Sequence, residues 1–274
     1  MRGEFGALEA TRATFSDNPV VVRRTGGRDD GRRTPHALGT RESAPVSVSR
    51  VSDERFEPRA DARPHDVHWP PAQWPPHSGV ILSGDWVELV PTTEHDAQAL
   101  RLAIDHDHVW QHLAGGPLPD DETARHWITD VLDRGWFPWT VRLLRDVGDR
   151  HAGTVVGWTS YLEVSPHDAR LEIGNTSYDP AVWGTVVNPE TKLLLLTHAF
   201  DELGMGRVQL KTDVRNVRSQ QAIHHLGATY EGVLRRYQRR ADGTVRDTVL
   251  FSVVSEDWPA VRTRLTDRVS AYGG

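Results

Sequence analysis

The stretch from Leu171 to Gly227 constrains the fold of this chain most strongly, because strand and helix patterns alternate along it. It predicts a strand (LEIGNTSY), a turn (WGTVVN), an amphipathic helix, a second strand (RVQLKTDV) and a further helix that opens at N-V-R-S. This order brings two helix N-termini and a strand end close together. Backbone N–H groups left unpaired at a helix N-terminus, together with the helix dipole, suit a phosphate or an acyl carbonyl.

Composition excludes several classes of function. The chain has no cysteine, which rules out disulfides, thiolate catalysis and cysteine-ligated zinc. Its formal net charge of −6 implies no general attraction to nucleic acid or to a membrane surface. No apolar run approaches the length of a membrane span, and the N-terminus lacks the hydrophobic core of a signal peptide, so we expect a cytoplasmic protein. Only Lys192 and Lys211 are lysines; the many arginines indicate a GC-rich codon bias and not a binding signal.

Residues 1–77 differ in composition from the rest of the chain. They are rich in Arg, Asp, Ser, Gly and Pro and end in the run PHDVHWPPAQWPPH. Because no amphipathic period persists, this segment cannot bury enough surface to offset its ordering entropy. We therefore expect a disordered extension over 1–77 and a folded domain over 78–274. A real tail and an over-extended translation start both remain open, and Trp69 and Trp74 are candidates to pack onto the domain.

From residue 78 onward the pattern is that of an α/β domain. Strands are predicted at Asp85–Pro91, Phe137–Leu144, Thr154–Val164, Leu171–Tyr178, Val208–Val214, Thr229–Arg239 and Thr244–Val254, the last two as a hairpin around Asp242-Gly243. Helices are predicted after the cap at Thr92–Glu94, from Asp120 with Ala124, Trp127, Ile128, Val131 and Leu132 on one face, after Asn188-Pro189, after Asn216, and over SEDWPAVRTRL.

Two segments resemble the GNAT N-acetyltransferase superfamily, and specifically its RimJ/RimL-like branch. They are the helix E-T-K-L-L-L-L-T-H-A-F-D-E-L-G and the run N-V-R-S-Q-Q-A-I-H-H-L-G-A that follows the fifth predicted strand. The resemblance covers roughly Gly79 to Asp267. It implies a GNAT fold, an α/β (α+β) domain whose mixed central sheet of about seven strands is splayed between strands four and five. It also implies transfer of acetyl from acetyl-CoA to a primary amine, on a protein N-terminus or a small molecule.

The resemblance also implies which residues hold acetyl-CoA. Pantetheine would pair with the freed edge of the fourth predicted strand, although an ordinary polar strand end remains an alternative there. The family's pyrophosphate turn, Q/R-x-x-G-x-G/A, corresponds to Trp183–Asn188, in which the first residue, the second glycine and the last small residue are replaced. Asn216 resembles the family's cofactor-binding asparagine, and it also suits a helix N-cap. The predicted cofactor-binding residues are Asn175, Thr176, Ser177, Gly184, Thr185, Val186, Val187, Asn188, Asn216 and Ser219.

Two residues are the predicted catalytic groups. Glu172 alternates away from its apolar strand neighbours, and burial could raise its pKa towards the range of a general base; a structural ion pair is the alternative. Glu163 is a weaker second candidate. Many relatives use a tyrosine as the acid for the departing thiolate, but Ile223 stands at that position. The resemblance assigns Ser219 this place, where it could at least hydrogen-bond the sulfur. Without cysteine to carry an acyl group, transfer is expected to be direct, through a ternary complex.

No metal is expected. His106, His108 and His112 lack the spacing that would gather ligands on one helix face. The expected partners are acetyl-CoA and an amine acceptor, with no nucleic acid and no membrane, and a homodimer remains possible. The altered turn and the missing tyrosine favour one rival function, a non-catalytic acyl-CoA-binding module of the same fold.

Overall fold

The computed structural model describes residues 57–58, 60, 68–113, 115–240 and 242–272. Its strands are β1 (Leu82–Ser83), β2 (Val87–Pro91), β3 (Phe137–Leu143), β4 (Val155–Ser165), β5 (Arg170–Tyr178), β6 (Arg207–Asp213), β7 (Thr229–Arg239) and β8 (Val245–Val254). Its helices are α1 (Ala97–Ile104), α2 (Asp107–Trp110), α3 (Asp121–Asp133), α4 (Val187–Thr197), α5 (Val217–Leu226) and α6 (Trp258–Ser270). None of these described helices is long and apolar enough to cross a membrane.

Among the described residues, eight strands form one mixed sheet in the order β1-β2-β3-β4-β5-β6-β8-β7. Neighbouring strands pair antiparallel except β5 and β6, which pair in parallel because the chain crosses over through α4 between them. This arrangement confirms the predicted mixed α/β fold. It has one strand more than expected, because the short β1 pairs with the strand predicted to be first.

Helices cover both faces of the sheet. The α4 and α6 helices pack against one face around a core that includes Leu171, Leu195 and Leu265. The α1 and α3 helices pack against the other face around residues such as Leu100 and Ile128. Because strand residues alternate between faces, each strand of the centre contributes to both layers.

Two details of the helices differ from the sequence prediction. Leu132 was expected on the buried face of α3 but is 44% exposed, whereas Ala124, Ile128 and Val131 are buried. A helix turns by about 100° per residue, which puts Leu132 at the margin of the stripe formed by those three. The four-residue α2 was not predicted, because its sequence is too short to show a helical period.

Most of the predicted N-terminal extension, 1–77, lies outside the described residues. Residues 68–77 are described and contact the sheet domain. The Trp69 indole Nε1 donates to the carbonyl oxygen of Gly204 at 3.2 Å, and Trp74 packs edge-on against Phe137 and Tyr161. The two tryptophans that the sequence marked as candidates for packing therefore do contact the domain.

Candidate active site

The parallel pairing of β5 and β6 stops early, and this opens a wedge in the sheet. The ladder joins Arg170–Glu172 to Arg207–Gln209, after which β5 continues to Tyr178 and β6 to Asp213 without pairing with each other. The predicted splay between the two central strands is confirmed.

A bulge in β5 lies directly beyond the last ladder pair. Asn175 has φ 49°, a left-handed conformation that asparagine tolerates better than most residues. The pairing with β4 shifts register at the same place, from Ser160 opposite Gly174 to Trp158 opposite Ser177. The bulge turns the end of β5 away from β6 and leaves its β6-facing edge without a strand partner among the described residues.

Several polar atoms around the bulge are buried without a hydrogen-bond partner in the described structure. They include Asn175 Nδ2, Ser177 Oγ and Ser160 Oγ. Buried polar groups normally have partners, and a cluster without them fits a site that is completed by a ligand.

Thr176, predicted to hold the cofactor, is engaged by the protein itself. Its hydroxyl lies 2.8 Å from that of Thr159 and accepts from Lys192 Nζ at 2.9 Å, while Lys192 Nζ also donates to Thr159 at 3.3 Å. Lys192 is 4% exposed, and burial lowers its pKa to about 7. The sequence alone did not mark Lys192 as part of the site. One signal was present, because Lys192 is one of only two lysines among the 32 Lys and Arg residues.

The turn before α4 presents backbone donors despite its altered sequence. Gly184 takes φ 77°, which favours glycine, and the N–H groups of Gly184, Val186 and Asn188 find no acceptor among the described residues. The side chains of Val186 and Val187 are buried in the core, so valine here supports packing. Thr185 Oγ1 closes the turn by donating to the Val182 carbonyl at 2.7 Å.

The start of α4 corrects one prediction. Asn188 was expected to cap this helix with Pro189 as its first residue, but α4 begins at Val187 and Val186 occupies the N-cap position. Asn188 and Pro189 lie in the first turn instead. Pro189 remains compatible with the helix because the first N–H groups have no intrahelical acceptor.

The first turn of α5 confirms the capping role predicted for Asn216. Its Oδ1 accepts from the N–H of Ser219 at 3.0 Å, and Gly227 ends the helix with φ 99°. The cap uses the oxygen of the Asn216 amide, so its Nδ2 is free for another partner. Whether Asn216 and Ser219 contact a cofactor stays a prediction.

Glu172 lies on the face of the sheet opposite α4 and is held by an ion pair. Its Oε2 is 2.8 Å from Lys211 Nζ, and Gln209 Nε2 donates to the same oxygen at 3.3 Å. Lys211 also pairs with Glu163 at 2.7 Å and bonds to the Tyr237 hydroxyl at 2.9 Å. The ion-pair alternative raised for Glu172 is thus what the structure shows.

The ion pair leaves one oxygen of Glu172 free. A Cβ built on Gly174 would lie 2.7 Å from Glu172 Oε1, so this oxygen lies over the glycine next to the bulge. Burial raises the pKa of Glu172, and attraction to Lys211 opposes that only in part. Burial alone would lower the pKa of Lys211, but the attraction of Glu172 and the bonds to both carboxylates raise it. Lys211 therefore stays protonated, while Glu172, only 4% exposed, keeps Oε1 without a hydrogen-bond partner among the described residues.

The described residues contain no group of three or more side chains that could hold a metal ion. Of the histidines considered above, His106 lies 3.9 Å from Asp179 through its Nε2.

The sequence model of the acetyltransferase (GNAT) domain family matches residues 87–229. The N-acetyltransferase YoaA of Bacillus subtilis, itself uncharacterised, is 25% identical over 64% of this chain and 96% of its own length. The FsC-acetyl coenzyme A-N(2)-transacetylase of Aspergillus fumigatus is 26% identical over 63% of this chain and 75% of its own.

Solved structures agree with this result. A protein of T. thermophilus assigned as an acetyltransferase is 36% identical with a TM-score of 0.62, covering 69% of this chain and 96% of that one. RimJ of Mycobacterium smegmatis, solved in complex with CoA-disulfide, shares the fold at 20% identity, with a TM-score of 0.57 and coverage of 74% and 93%. With its splayed sheet and a family match over residues 87–229, the chain belongs to the GNAT family of acetyltransferases.

Proposed function

We propose that this protein transfers acetyl from acetyl-CoA directly to a primary amine in a ternary complex. The observation that carries the proposal is the wedge between β5 and β6, with its open strand edge and the buried polar atoms without a partner at the bulge. The unpaired N–H groups before α4 and the free oxygen of Glu172 supplement it. A cytoplasmic location and a homodimeric assembly remain predictions from the sequence.

Acetyl-CoA supplies an acetyl group already activated as a thioester. In the proposed complex the open edge of residues 175–177 pairs with the pantetheine amides. The backbone donors of the turn at 184–188 face the pyrophosphate, helped by the dipole of α4. Asn216 Nδ2, left free by the cap, contributes a further donor from the other side of the wedge.

Glu172 is the proposed proton acceptor. An incoming amine is protonated at neutral pH and must lose a proton before its lone pair can attack. Oε1 over Gly174 can take that proton directly or through one water, while Lys211 holds Oε2 and fixes the carboxylate. Because burial raises the pKa of Glu172, its basicity is greater than that of an exposed glutamate.

Ser219 is proposed to contact the departing sulfur. It lies in the first turn of α5, where Asn216 Oδ1 accepts from its backbone N–H and its hydroxyl finds no partner among the described residues. A serine hydroxyl is a poor acid at neutral pH, so Ser219 stabilises the thiolate by a hydrogen bond and solvent supplies the proton. Ile223 occupies the position at which many relatives have an acidic tyrosine, and the absence of that side chain is consistent with a proton that comes from solvent.

The relatives support an amine acceptor. The name of the fungal relative, FsC-acetyl coenzyme A-N(2)-transacetylase, describes acetyl transfer from coenzyme A to a nitrogen. The RimJ structure contains a CoA derivative, which supports CoA binding by this fold. A small-molecule amine and a protein N-terminus both remain within the proposal.

Calorimetric titration with acetyl-CoA, paired with a thiol-release assay over a panel of amines and short peptides, tests it. We expect binding and amine-dependent CoA release, both retained in a Glu163→Gln control. In Glu172→Gln, binding should persist while release falls by about 10²- to 10⁴-fold, the usual contribution of a general base. Binding without amine-dependent release would instead support the rival, a non-catalytic acyl-CoA-binding module. Absence of binding would overturn both.

A further inference from the structure

Trp183 and Arg218 form a stacked pair across the wedge. Trp183 directly precedes the turn before α4, and Arg218 is the second residue of α5. The Arg218 Cζ lies 3.5 Å from the centroid of the Trp183 ring. The pair therefore links the two helix N-termini that the sequence predicted to lie close together.

The indole is a fixed platform for this contact. Its Nε1 donates to the carbonyl oxygen of Tyr178 at 3.0 Å, which ties it to the end of β5. Trp183 also packs against both core layers of the domain. Stacking restrains the Arg218 guanidinium by its face and leaves the N–H donors in its plane free to bind a ligand.

Nothing in the described structure neutralises this cation. Arg218 is exposed, and no described carboxylate lies within ion-pair distance of it. The backbone N–H of Arg218 also finds no acceptor among the described residues. The guanidinium thus stands beside a turn whose own N–H groups at Gly184, Val186 and Asn188 are unpaired.

Arg218 lies beside a turn that lacks a polar side chain at its first position. The family pattern begins with Gln or Arg where this chain has Trp183, so a polar or cationic group is missing from the turn itself. We propose that Arg218, held on the Trp183 ring, binds the pyrophosphate of acetyl-CoA and replaces that missing group from the opposite side of the wedge. A planar guanidinium is well suited to this, because it bonds two phosphate oxygens at once. This inference rests on the proposed function.

Calorimetric titration with CoA and with dephospho-CoA, which keeps the pyrophosphate and lacks the 3′-phosphate, tests it without any turnover. The variants are Arg218→Gln, Arg218→Lys and the control Arg215→Gln, which removes the same charge from an exposed position three residues earlier. Thermal unfolding of each variant verifies the fold. We expect Arg218→Gln to weaken both ligands roughly 10- to 100-fold, since charge-assisted hydrogen bonds are lost, and Arg218→Lys to fall in between. Arg215→Gln should weaken either ligand by less than about threefold, because Arg215 is exposed and is not held on the Trp183 ring, so that its charge is largely screened.

A second comparison tests the role of the ring. Trp183→Leu should weaken CoA binding in the wild-type background and have a smaller effect in the Arg218→Gln background, because the two residues act as a unit.

The outcomes separate the two proposals. If the wild type binds CoA and Arg218→Gln binds as Arg215→Gln does, the inference is overturned and the proposed function stands. An Arg218→Gln effect that disappears with dephospho-CoA would assign the residue to the 3′-phosphate and overturn the pyrophosphate contact. A wild-type protein that binds no CoA overturns the inference together with the proposed function.

Discussion

The substitution Lys192→Met should change how the free energy of unfolding depends on pH, because the Lys192 amine is buried. The amine is buried, bonded to Thr159 and Thr176, and without a carboxylate partner among the described residues. Burial lowers its pKa from 10.5 to about 7. Between these two values the unfolded chain binds a proton at Lys192 and the folded protein does not. Stability therefore increases with pH in this window, by about 1.4 kcal/mol per pH unit from this residue.

The size of the effect can be measured by urea denaturation between pH 8.0 and 9.5. Over this interval the wild type should gain about 2 kcal/mol in the free energy of unfolding relative to Lys192→Met, which lacks the titrating group. Methionine removes the amine and keeps a long unbranched side chain, while the Thr159 and Thr176 hydroxyls still bond to each other. Lys211→Met is the matched control. The pKa of Lys211 is raised, so it stays largely protonated in both states between pH 8.0 and 9.5, and its loss should displace the curve without changing its slope over that interval.

Nuclear magnetic resonance can observe the same group directly. Because the chain contains only two lysines, labelling with ¹³Cε-lysine yields two signals, one of which is absent in Lys192→Met. We expect the Lys192 signal to titrate near pH 7 and the Lys211 signal to remain in its protonated position up to at least pH 10. Parallel stability curves for the wild type and Lys192→Met, together with a Lys192 signal that titrates near 10, would refute the reasoning.

Three further predictions test the wedge and its surroundings. Gly174→Ala should lower the rate of acetyl transfer with little loss of CoA affinity, because the new Cβ would lie 2.7 Å from Glu172 Oε1 and displace that carboxylate. Steady-state kinetics and calorimetry measure the two quantities, and an unchanged turnover would contradict the prediction. Asn216→Ala should weaken CoA binding and also cost about 1 kcal/mol of stability through loss of the cap; equal affinity would leave Asn216 with the cap alone. Deleting residues 1–67 should leave the free energy of unfolding unchanged, whereas deleting 1–76 also removes Trp69 and Trp74 and should cost about 3 kcal/mol or more. Equal urea midpoints for the two deletions would show that the packing of these tryptophans is immaterial.

Local signals predicted much of the fold because they act over a few residues. Asn216 caps α5 and Gly227 ends it because a side-chain acceptor and a left-handed residue are needed at those two positions. The strand at Val87–Pro91 follows a two-residue period that is visible in the sequence. The resemblance contributed the mixed central sheet and its splay, which no local pattern contains.

The side-chain partners in the site could not be predicted in the same way. Glu172 meets Lys211 only because β5 and β6 pair in a particular parallel register, and that register depends on how α4 crosses over the sheet. The stack of Trp183 and Arg218 likewise joins the segment before α4 to the start of α5, and their relative position is a property of the whole domain. Lys192 is buried because α4 is covered on several sides, and no local pattern in the sequence indicates that covering.

The wedge is held open by polar contacts that lie on different sides of it. On the sheet, Lys211 binds Glu172 at the last ladder pair and so fixes the point from which β5 and β6 diverge. Beneath β5, Lys192 binds Thr176 just beyond the bulge and ties the diverging end of the strand to α4. A polar strand end that was free to relax could resume pairing with β6 and satisfy its own backbone. Because Lys192 holds that end towards the helix, the backbone edge stays open, and its hydrogen-bonding groups remain available to a bound thioester arm.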